Sequence, residues 1–196
     1  MSRKATVSRT TRETVIELSL AIDGCGNSIV ESGNGFFDHM LTLWAKHGLF
    51  DLSVSCKGDT EVDFHHSAED IGICLGMAFA QALGDCKGIT RYATAHVPMD
   101  ESLGRVCLDI AGRPNLVFEV AFSDRTINGF ECDLAQDFFK AFSDHAKVTI
   151  HADLLRGRNS HHSLEAIFKA FGRALSQACA INPKAPSSLP TTKGTL

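Results

Sequence analysis

Two stretches of this 196-residue chain combine side chains that bind metal ions. HHSAED begins at His65 and HHSLEA begins at His161, and each stretch has a glutamate three residues after its second histidine. Imidazole and carboxylate groups with no cysteine nearby are ligands suited to Mn, Fe or Zn. One such stretch alone would be typical of a solvated helix start. Two copies in register predict a metal centre.

Each motif opens a run of helix formers, so its side chains are expected on the first turn of a helix. With His65 at zero degrees on a helical wheel, His66 lies at about 100° and Glu69 at about 40°. His65 can therefore share a metal ion with Glu69, whereas His66 is directed toward a different one. Two copies supply four imidazoles and two carboxylates, which is enough for most of two metal coordination spheres.

Several polar residues outside the motifs could bind an anion or move a proton. Taken singly, His39 in an apolar segment is typical of a core histidine, and Glu13 on an alternating strand is typical of a solvent-facing carboxylate. Arg91 and Arg113 lie near turns, where a surface charge is common. The segment TTKG at 191–194 offers hydroxyls, backbone N–H groups and an ammonium, which is the composition of an anion-binding loop.

The overall composition is that of a globular protein. Hydrophobic residues make up 44% and charged residues 21% of the chain, and the net charge of −4 argues against a nucleic-acid binder. No apolar run approaches the roughly 18–20 residues that cross a bilayer, and the N-terminus lacks the apolar centre of a signal peptide. The seven scattered cysteines predict reduced, buried thiols. These features together predict a cytoplasmic protein that binds no membrane.

Hydrophobic periodicity divides the chain into strands and helices. We predict strands at 14–22, 50–59, 105–112, 115–122 and 147–155, and helices at 36–48, 65–83, 132–146 and 161–180. The strands 105–112 and 115–122 are expected to form a hairpin across GRPN. The tail after 181 is expected to be a loop.

The two halves of the sequence are related. Moving the second half back by 96 positions, the offset between His161 and His65, superposes 65–83 on 161–179 and, with a two-residue gap between the segments, sets 36–48 opposite 134–146. Internal duplication at this length suggests two similar units rather than a solenoid. We therefore predict an α+β fold in which 1–196 is a single domain of two pseudo-repeats, about 1–90 and 91–196. Each half is expected to be a mostly antiparallel sheet with helices on one face.

An ordered set of motifs runs along nearly the whole chain, namely TRETVIELSLAIDG, GFFDHML, HHSAEDIGICLG, GITRYA, PMDESL, AGRPN, GRNSHHSLEAIFKAFGRAL and TTKG. This set strongly resembles the imidazoleglycerol-phosphate dehydratase family. The resemblance implies a hydro-lyase of histidine biosynthesis that removes water from D-erythro-imidazole glycerol phosphate to give imidazole acetol phosphate. It also implies a homo-oligomer in which trimers build a 24-subunit shell, with two Mn2+ ions in each active site between subunits.

The resemblance also implies roles for individual residues. The metal ligands it implies are His39, His65, His66, Glu69, His161, His162 and Glu165. Glu13, Glu69 and Glu165 are expected to be catalytic, with Glu13 in acid/base work at the reacting carbons. Substrate binding is assigned to Glu13, His39, His47, Arg91, Arg113, Lys169, Thr191, Thr192 and Lys193, the cationic and hydroxyl groups among them holding the phosphate.

Two positions depart from the family pattern. Asp137 lies opposite His39 in the internal repeat, where the family usually has a histidine. We predict that Asp137 is a metal ligand, because carboxylates suit Mn2+; the alternatives are water, His145 or His151. Thr191 replaces the usual serine and keeps the hydroxyl that phosphate binding needs.

The expected reaction is difficult because the proton to be removed lies on a carbon with no adjacent carbonyl. The imidazole ring of the substrate must therefore accept electrons, and Glu13 is the expected proton carrier.

Two other classes of protein could carry the same metal-binding motifs. A metal-storage protein would leave Arg91, Arg113 and Lys169 without a role, and a metal-dependent phosphohydrolase would release phosphate, whereas dehydration leaves the phosphate ester intact.

Overall fold

The computed structural model describes residues 3–195, in which ten strands and four helices follow the order expected of a duplicated unit. The first half contains β1 (Lys4–Thr10), β2 (Thr14–Ala21), β3 (Ser28–Glu31), α1 (Gly35–Gly48), β4 (Asp51–Gly58) and α2 (His65–Leu83). The second half contains β5 (Tyr92–Met99), β6 (Ser102–Asp109), β7 (Asn115–Glu119), β8 (Thr126–Ile127), β9 (Phe130–Glu131), α3 (Leu134–Ala146), β10 (Thr149–Arg156) and α4 (Ser160–Cys179).

Each half forms a four-stranded sheet with the same topology. The strand orders are β1-β2-β4-β3 and β5-β6-β10-β7, and in each sheet the first three strands are antiparallel while the last runs parallel to its neighbour. Side chains of β2 and β6 alternate between buried and more exposed, so one face of each sheet is covered by helices. The predicted α+β fold with mostly antiparallel sheets is confirmed.

The predicted hairpin between 105–112 and 115–122 is wrong. Strand β10 lies between β6 and β7, and β7 pairs in parallel with β10 from Asn115 opposite Thr149 to Glu119 opposite Asp153. Two parallel strands need a crossover connection, and α3 supplies it between β7 and β10. The short GRPN segment is typical of a hairpin turn. The chain nevertheless passes through α3 after β7, and β7 therefore pairs with β10 and not with β6.

The helices of one half pack against the helices of the other. Helix α2 covers β1, β2 and β4, helix α4 covers β5, β6 and β10, and the pairs α1–α4 and α2–α3 are in contact between the two sheets. The helices can approach closely because glycines lie at the contacts: a Cβ atom on Gly72 would lie 2.7 Å from the carbonyl oxygen of Phe138. Buried residues of both halves form one hydrophobic cluster. That the chain is a single domain of two pseudo-repeats stays a prediction.

Side-chain caps fix where α1 and α4 begin. The Asn34 side chain accepts hydrogen bonds from the backbone N–H groups of Phe36 and Phe37 at the start of α1. At the start of α4 the Asn159 side chain accepts from the backbone N–H of His162, at 3.2 Å. The predicted helix 65–83 is observed with the same bounds, so the histidine pair of the first motif opens α2.

The cysteines are free thiols, as the sequence predicts, but they are not all buried. Cys56, Cys74, Cys132 and Cys179 are buried, whereas Cys25 is exposed in the turn after β2. Its backbone N–H donates to Asp51 Oδ1 at 3.0 Å, and its sulfur accepts from Asn27 Nδ2 at 3.0 Å. The prediction of burial is therefore wrong for Cys25. No helix within residues 3–195 is long and apolar enough to span a membrane.

Candidate active site

The contact between α1 and α4 brings together two histidines and a glutamate. His39 on α1 and His161 on α4 each place Nε2 at 3.0 Å from Oε1 of Glu165, which lies one turn after His161 on α4. The ligand atoms of these three residues all lie within 4.8 Å of one another. We call His39, His161 and Glu165 the first cluster, and it could hold a metal ion.

The carboxylate of the first cluster is kept ionised. Burial opposes ionisation of Glu165, whose side chain is 8% exposed, but hydrogen bonds from Lys169, His39 and His161 outweigh burial and lower its pKa to about 2. The Lys169 ammonium contacts Oε2 of Glu165 and leaves Oε1 facing the two imidazoles. An ionised carboxylate oxygen between two imidazole nitrogens is a donor set suited to a divalent cation.

The contact between α2 and α3 brings together the equivalent residues of the repeat. His65 on α2 lies between two carboxylates, with Nε2 at 3.5 Å from Glu69 Oε2 and Nδ1 at 3.7 Å from Asp137 Oδ2 on α3. Asp137 occupies on α3 the place that His39 occupies on α1. We call His65, Glu69 and Asp137 the second cluster.

The alternatives to Asp137 lie elsewhere. The His145 ring places Nδ1 at 2.9 Å from the carbonyl oxygen of Ala141, on its own helix. His151 lies on β10 and lines a pocket with Tyr92 and Asp109 on its sheet. Among the three candidates, Asp137 is thus the residue that the packing places beside His65.

The second histidine of each motif points away from its neighbour. The His65 and His66 rings are nearly perpendicular, at 85°, and so are those of His161 and His162, at 82°. His66 Nδ1 lies 3.0 Å from Asp59, and His162 Nδ1 lies 2.8 Å from Glu101. These carboxylates raise the pKa of both histidines, as expected for hydrogen bonds that favour the protonated ring.

The turns of the two equivalent hairpins lie beside these outer histidines. Glu13, in the β1–β2 turn, places Oε1 at 3.8 Å from His66 Nε2, and Asp100, in the β5–β6 turn, places Oδ2 at 4.0 Å from His162 Nε2. Of these four carboxylates, the sequence predicted a role for Glu13 but none for Asp59, Asp100 or Glu101. Two of these missed residues lie in the PMDESL motif, which was noted without a role for its carboxylates.

Five of the predicted substrate-binding residues line one open pocket of about 490 Å³. They are Arg91, Arg113, Thr191, Thr192 and Lys193, and they lie there with Tyr92 and Pro190. Thr191 Oγ1 accepts the backbone N–H of Lys193 at 3.1 Å, which shapes the TTKG segment into a tight turn. A cationic, hydroxyl-rich pocket of this kind can bind a phosphate.

Arg91 is held rigidly in this predicted phosphate pocket. Its Nε and Nη2 donate to the two carboxylate oxygens of Asp109 at 2.7 and 3.2 Å, and its Nη1 donates to the carbonyl of Pro190 at 2.8 Å. The hydrogen bond to Asp109 raises the pKa of Arg91, so the guanidinium is permanently charged.

The remaining predicted substrate-binding residues lie near the histidine clusters. Lys169 contacts Glu165 and Met99, and Glu13 lies beside His66. His47 lies near the end of α1, where burial first, and the nearby Lys169 and Arg173 charges second, lower its pKa. The chain therefore carries its predicted phosphate-binding groups in two places.

The chain is similar to known proteins along its length. The sequence profile of the family described as "Imidazoleglycerol-phosphate dehydratase" matches residues 32–175. The imidazoleglycerol-phosphate dehydratase of Aminomonas aminovorus is 54% identical over 99% of this chain and 100% of its own. That of Pseudomonas putida is 50% identical over the full length of both chains.

Solved structures agree with these sequence relatives. A crystal structure of imidazoleglycerol-phosphate dehydratase from Staphylococcus aureus is 40% identical and superposes with a TM-score of 0.83, covering 91% of this chain and 99% of its own. The Pyrococcus furiosus structure, solved in complex with (S)-C348, is 33% identical with a TM-score of 0.84, covering 97% and 100%. The resemblance predicted from the motifs is confirmed, because full-length relatives and the same fold accompany both motif copies: the chain belongs to the imidazoleglycerol-phosphate dehydratase family.

Proposed function

We propose that this protein removes water from D-erythro-imidazole glycerol phosphate to give imidazole acetol phosphate in histidine biosynthesis, and that it depends on two Mn2+ ions per active site. The observation that carries the proposal is the pair of repeat-related clusters, one around Glu165 and one around His65, in a chain that also carries a cationic pocket. The chain, a member of this family, therefore carries both the candidate metal ligands and the phosphate-binding groups that the reaction needs. A biosynthetic role of this kind fits a cytoplasmic enzyme.

The clusters fit a divalent cation by the chemistry of their donors. In the first cluster His39 and His161 aim Nε2 at the same oxygen of Glu165, and the three ligand atoms lie within 4.8 Å of one another. In the second cluster the donors are of the same types, but Glu69 lies nearest Nε2 of His65 and Asp137 nearest Nδ1, so the two carboxylates face opposite nitrogens of the ring. Nitrogen and oxygen donors without sulfur suit Mn, Fe or Zn, and the family resemblance favours Mn2+ among them. Bound ions would act as Lewis acids toward the substrate imidazole and hydroxyl groups.

The phosphate pocket would hold the end of the substrate that does not react. Asp109 and the Pro190 carbonyl orient Arg91, and the turn at Thr191 and Lys193 places threonine hydroxyls beside an ammonium. Fixing the phosphate limits the motion of the reacting carbons, and such positioning can contribute several kcal/mol, about 7–11 in the most favourable cases.

Glu13 is the proposed proton carrier. It lies in the β1–β2 turn, its side chain is 53% exposed, and it is 3.8 Å from His66 Nε2. A carboxylate at such a turn can reach a substrate that approaches from solvent. It would take the proton from the carbon adjacent to the one that loses its hydroxyl group as water. The resulting enol would tautomerise to the ketone.

A homo-oligomer is part of the proposal. His66 and His162 are directed away from the clusters of their own motifs and toward hairpin turns at the surface. We propose that they complete clusters of neighbouring copies, in the 24-subunit arrangement of trimers that the family resemblance implies. The phosphate-binding groups that lie apart in one chain, Arg91 and Lys169, would then meet between subunits.

The test is a metal titration with product analysis. Protein stripped of metal is titrated with Mn2+ and supplied with imidazole glycerol phosphate, and the enolised product and free phosphate are both measured. We expect enolised imidazole acetol phosphate to appear as about two Mn2+ bind per chain. Release of phosphate instead would identify a phosphohydrolase, and metal binding without turnover would leave a metal-storage role.

A further inference from the structure

We propose that Asp59 and Glu101 are positioning residues, which fix the outer histidines of the two motifs so that Nδ1 of each carries a proton and Nε2 faces outward. The inference deepens the proposed function and rests on it, because the outer histidines are taken to be metal ligands. Nothing in the sequence analysis assigned a role to either carboxylate.

Asp59 holds His66 from the loop between β4 and α2. Both of its carboxylate oxygens lie within hydrogen-bond distance of His66 Nδ1, at 3.0 and 3.1 Å. Its backbone is fixed as well, because its N–H donates to the carbonyl of Glu13 at 3.0 Å and its carbonyl accepts from Val62 at 2.8 Å. The carboxylate is therefore anchored between the first hairpin and the start of α2.

Glu101 holds His162 from the turn between β5 and β6. Its Oε2 lies 2.8 Å from His162 Nδ1, while its Oε1 accepts the backbone N–H groups of Asn159 at 2.9 Å and Arg158 at 3.4 Å. Those N–H groups lie just before α4. One oxygen of Glu101 is therefore committed to the backbone and the other to the imidazole.

The two carboxylates come from places that are not equivalent in the repeat. The β1–β2 turn, which corresponds to the turn that carries Glu101, carries Glu13, and Glu13 faces His66 Nε2 instead. The loop before α4, which corresponds to the loop that carries Asp59, contains Gly157 and Arg158. Duplication alone would have produced matching positions. Two carboxylates of different origin at the same ring nitrogen indicate a requirement for that contact.

The requirement is chemical. An ionised carboxylate can only accept hydrogen bonds, so the imidazole nitrogen that it contacts must carry the proton. With the proton on Nδ1, a neutral ring has its lone pair on Nε2, and that nitrogen is free to bind a metal ion. Groups that hold a ligating histidine in this way typically contribute about 10–100-fold to metal affinity.

The ring tautomers can be read in protein without metal. Magic-angle-spinning 15N NMR of protein labelled at the histidine ring nitrogens, with signals assigned by difference from His66→Gln and His162→Gln, should show wild-type His66 and His162 protonated at Nδ1. In Glu101→Gln the two backbone N–H groups hold the amide oxygen, so the NH2 group faces His162 and the proton should move to Nε2. In Asp59→Asn the amide can face either way, and a mixture is expected.

Metal affinity provides the second measurement. Titration with Mn2+ followed by electron paramagnetic resonance should show about 10–100-fold weaker binding in each variant, with Asp59→Glu and Glu101→Asp recovering part of the loss. Glu61→Gln, an exposed carboxylate in the same loop as Asp59, removes the same charge and should change neither the tautomers nor the affinity.

The outcomes separate the two proposals. The positioning role would be overturned if Asp59→Asn and Glu101→Gln left the tautomers unchanged. It would also be overturned if the tautomers changed but the Mn2+ affinity did not. Neither result would bear on the proposed dehydratase activity. A wild-type protein that neither binds Mn2+ nor dehydrates the substrate would remove the proposed function, whereas the tautomer spectra would still report whether the carboxylates fix the rings.

Discussion

Individual residues of the site differ in how far the sequence could predict them. The contacts of His65 with Glu69 and of His161 with Glu165 span one helical turn, so they follow from the sequence as soon as the helix is recognised. Glu101 and His162 are 61 positions apart and meet only because a hairpin turn packs against the start of α4. No local periodicity predicts such a contact.

The proposed role of Glu13 as proton carrier can be tested by one conservative substitution. Glu13→Gln keeps the size of the side chain but removes its ability to take a proton, so we expect kcat to fall by about 10²–10⁴-fold. Because Glu13 is not itself a proposed metal ligand, Mn2+ affinity should change less than kcat. Steady-state kinetics together with Mn2+ titration provide the measurement.

The matched control for this change is Glu17→Gln on β2. Glu17 is exposed and hydrogen-bonded to Ser8 on the neighbouring strand, so its loss should leave kcat unchanged. Wild-type turnover of Glu13→Gln would exclude Glu13 as the proton carrier. Asp100, which occupies the equivalent turn beside His162, would then be the next residue to change.

At the scale of elements, the helices were predicted better than the sheet pairing. Their apolar periodicity and capping residues are local signals, and α2 has the predicted bounds. The pairing of β7 with β10 rather than β6 depends on the crossover through α3, so the alternation within each strand did not predict it. The same α3 carries Asp137 toward His65, and the second cluster therefore depends on how closely α2 and α3 pack.

Gly72→Ala tests that dependence. The new Cβ atom would lie 2.7 Å from the backbone carbonyl oxygen of Phe138, and because backbone cannot rotate away, α2 and α3 must separate. We expect a loss of about 1–3 kcal/mol in the free energy of unfolding, as for other overpacked contacts. The Mn2+ affinity of the second cluster should fall more than that of the first. Chemical denaturation and Mn2+ titration measure the two effects.

Gly35→Ala is the control, because its new Cβ would meet no atom within 4 Å at the exposed start of α1. This change should be neutral, or stabilising by about 0.4–1 kcal/mol through the unfolded chain. If Gly72→Ala were as stable as wild type and bound both metal ions equally well, the close α2–α3 contact would not control the second cluster.

At the scale of the whole molecule, the two halves are joined by more than their helices. Arg3, at the start of the described chain, donates Nε to Asp23 Oδ2 at 2.8 Å and Nη1 to the carbonyl of Cys179 at 2.6 Å. Cys179 is the last residue of α4, in the second half. One guanidinium thus links the first sheet to the end of the last helix, a contact between residues 176 positions apart that sequence patterns do not predict.

Asp23→Asn should weaken this link in a pH-dependent manner. The hydrogen bond from Arg3 lowers the pKa of Asp23 below its ordinary value of 3.8 in the folded protein. A carboxyl group of this kind contributes its full stability above the unfolded pKa and loses it as the pH falls through the folded pKa. At pH 7 we expect the variant to lose about 0.5–1 kcal/mol in the free energy of unfolding, a small value because the Asp23 side chain is 49% exposed and its ion pair is screened by solvent.

The difference between wild type and Asp23→Asn should therefore be constant from pH 7 to about 5 and shrink below the ordinary aspartate pKa, near 3.8. Urea denaturation at several pH values measures it, and added salt should reduce it at neutral pH because the pair lies at the surface. Glu119→Gln, an exposed carboxylate on β7, removes the same charge and should show no such difference. A gap between wild type and Asp23→Asn that did not shrink as the pH fell below 3.8 would mean that Asp23 stabilises the fold by packing rather than by its charge, and that Arg3 joins the halves through the Cys179 carbonyl alone.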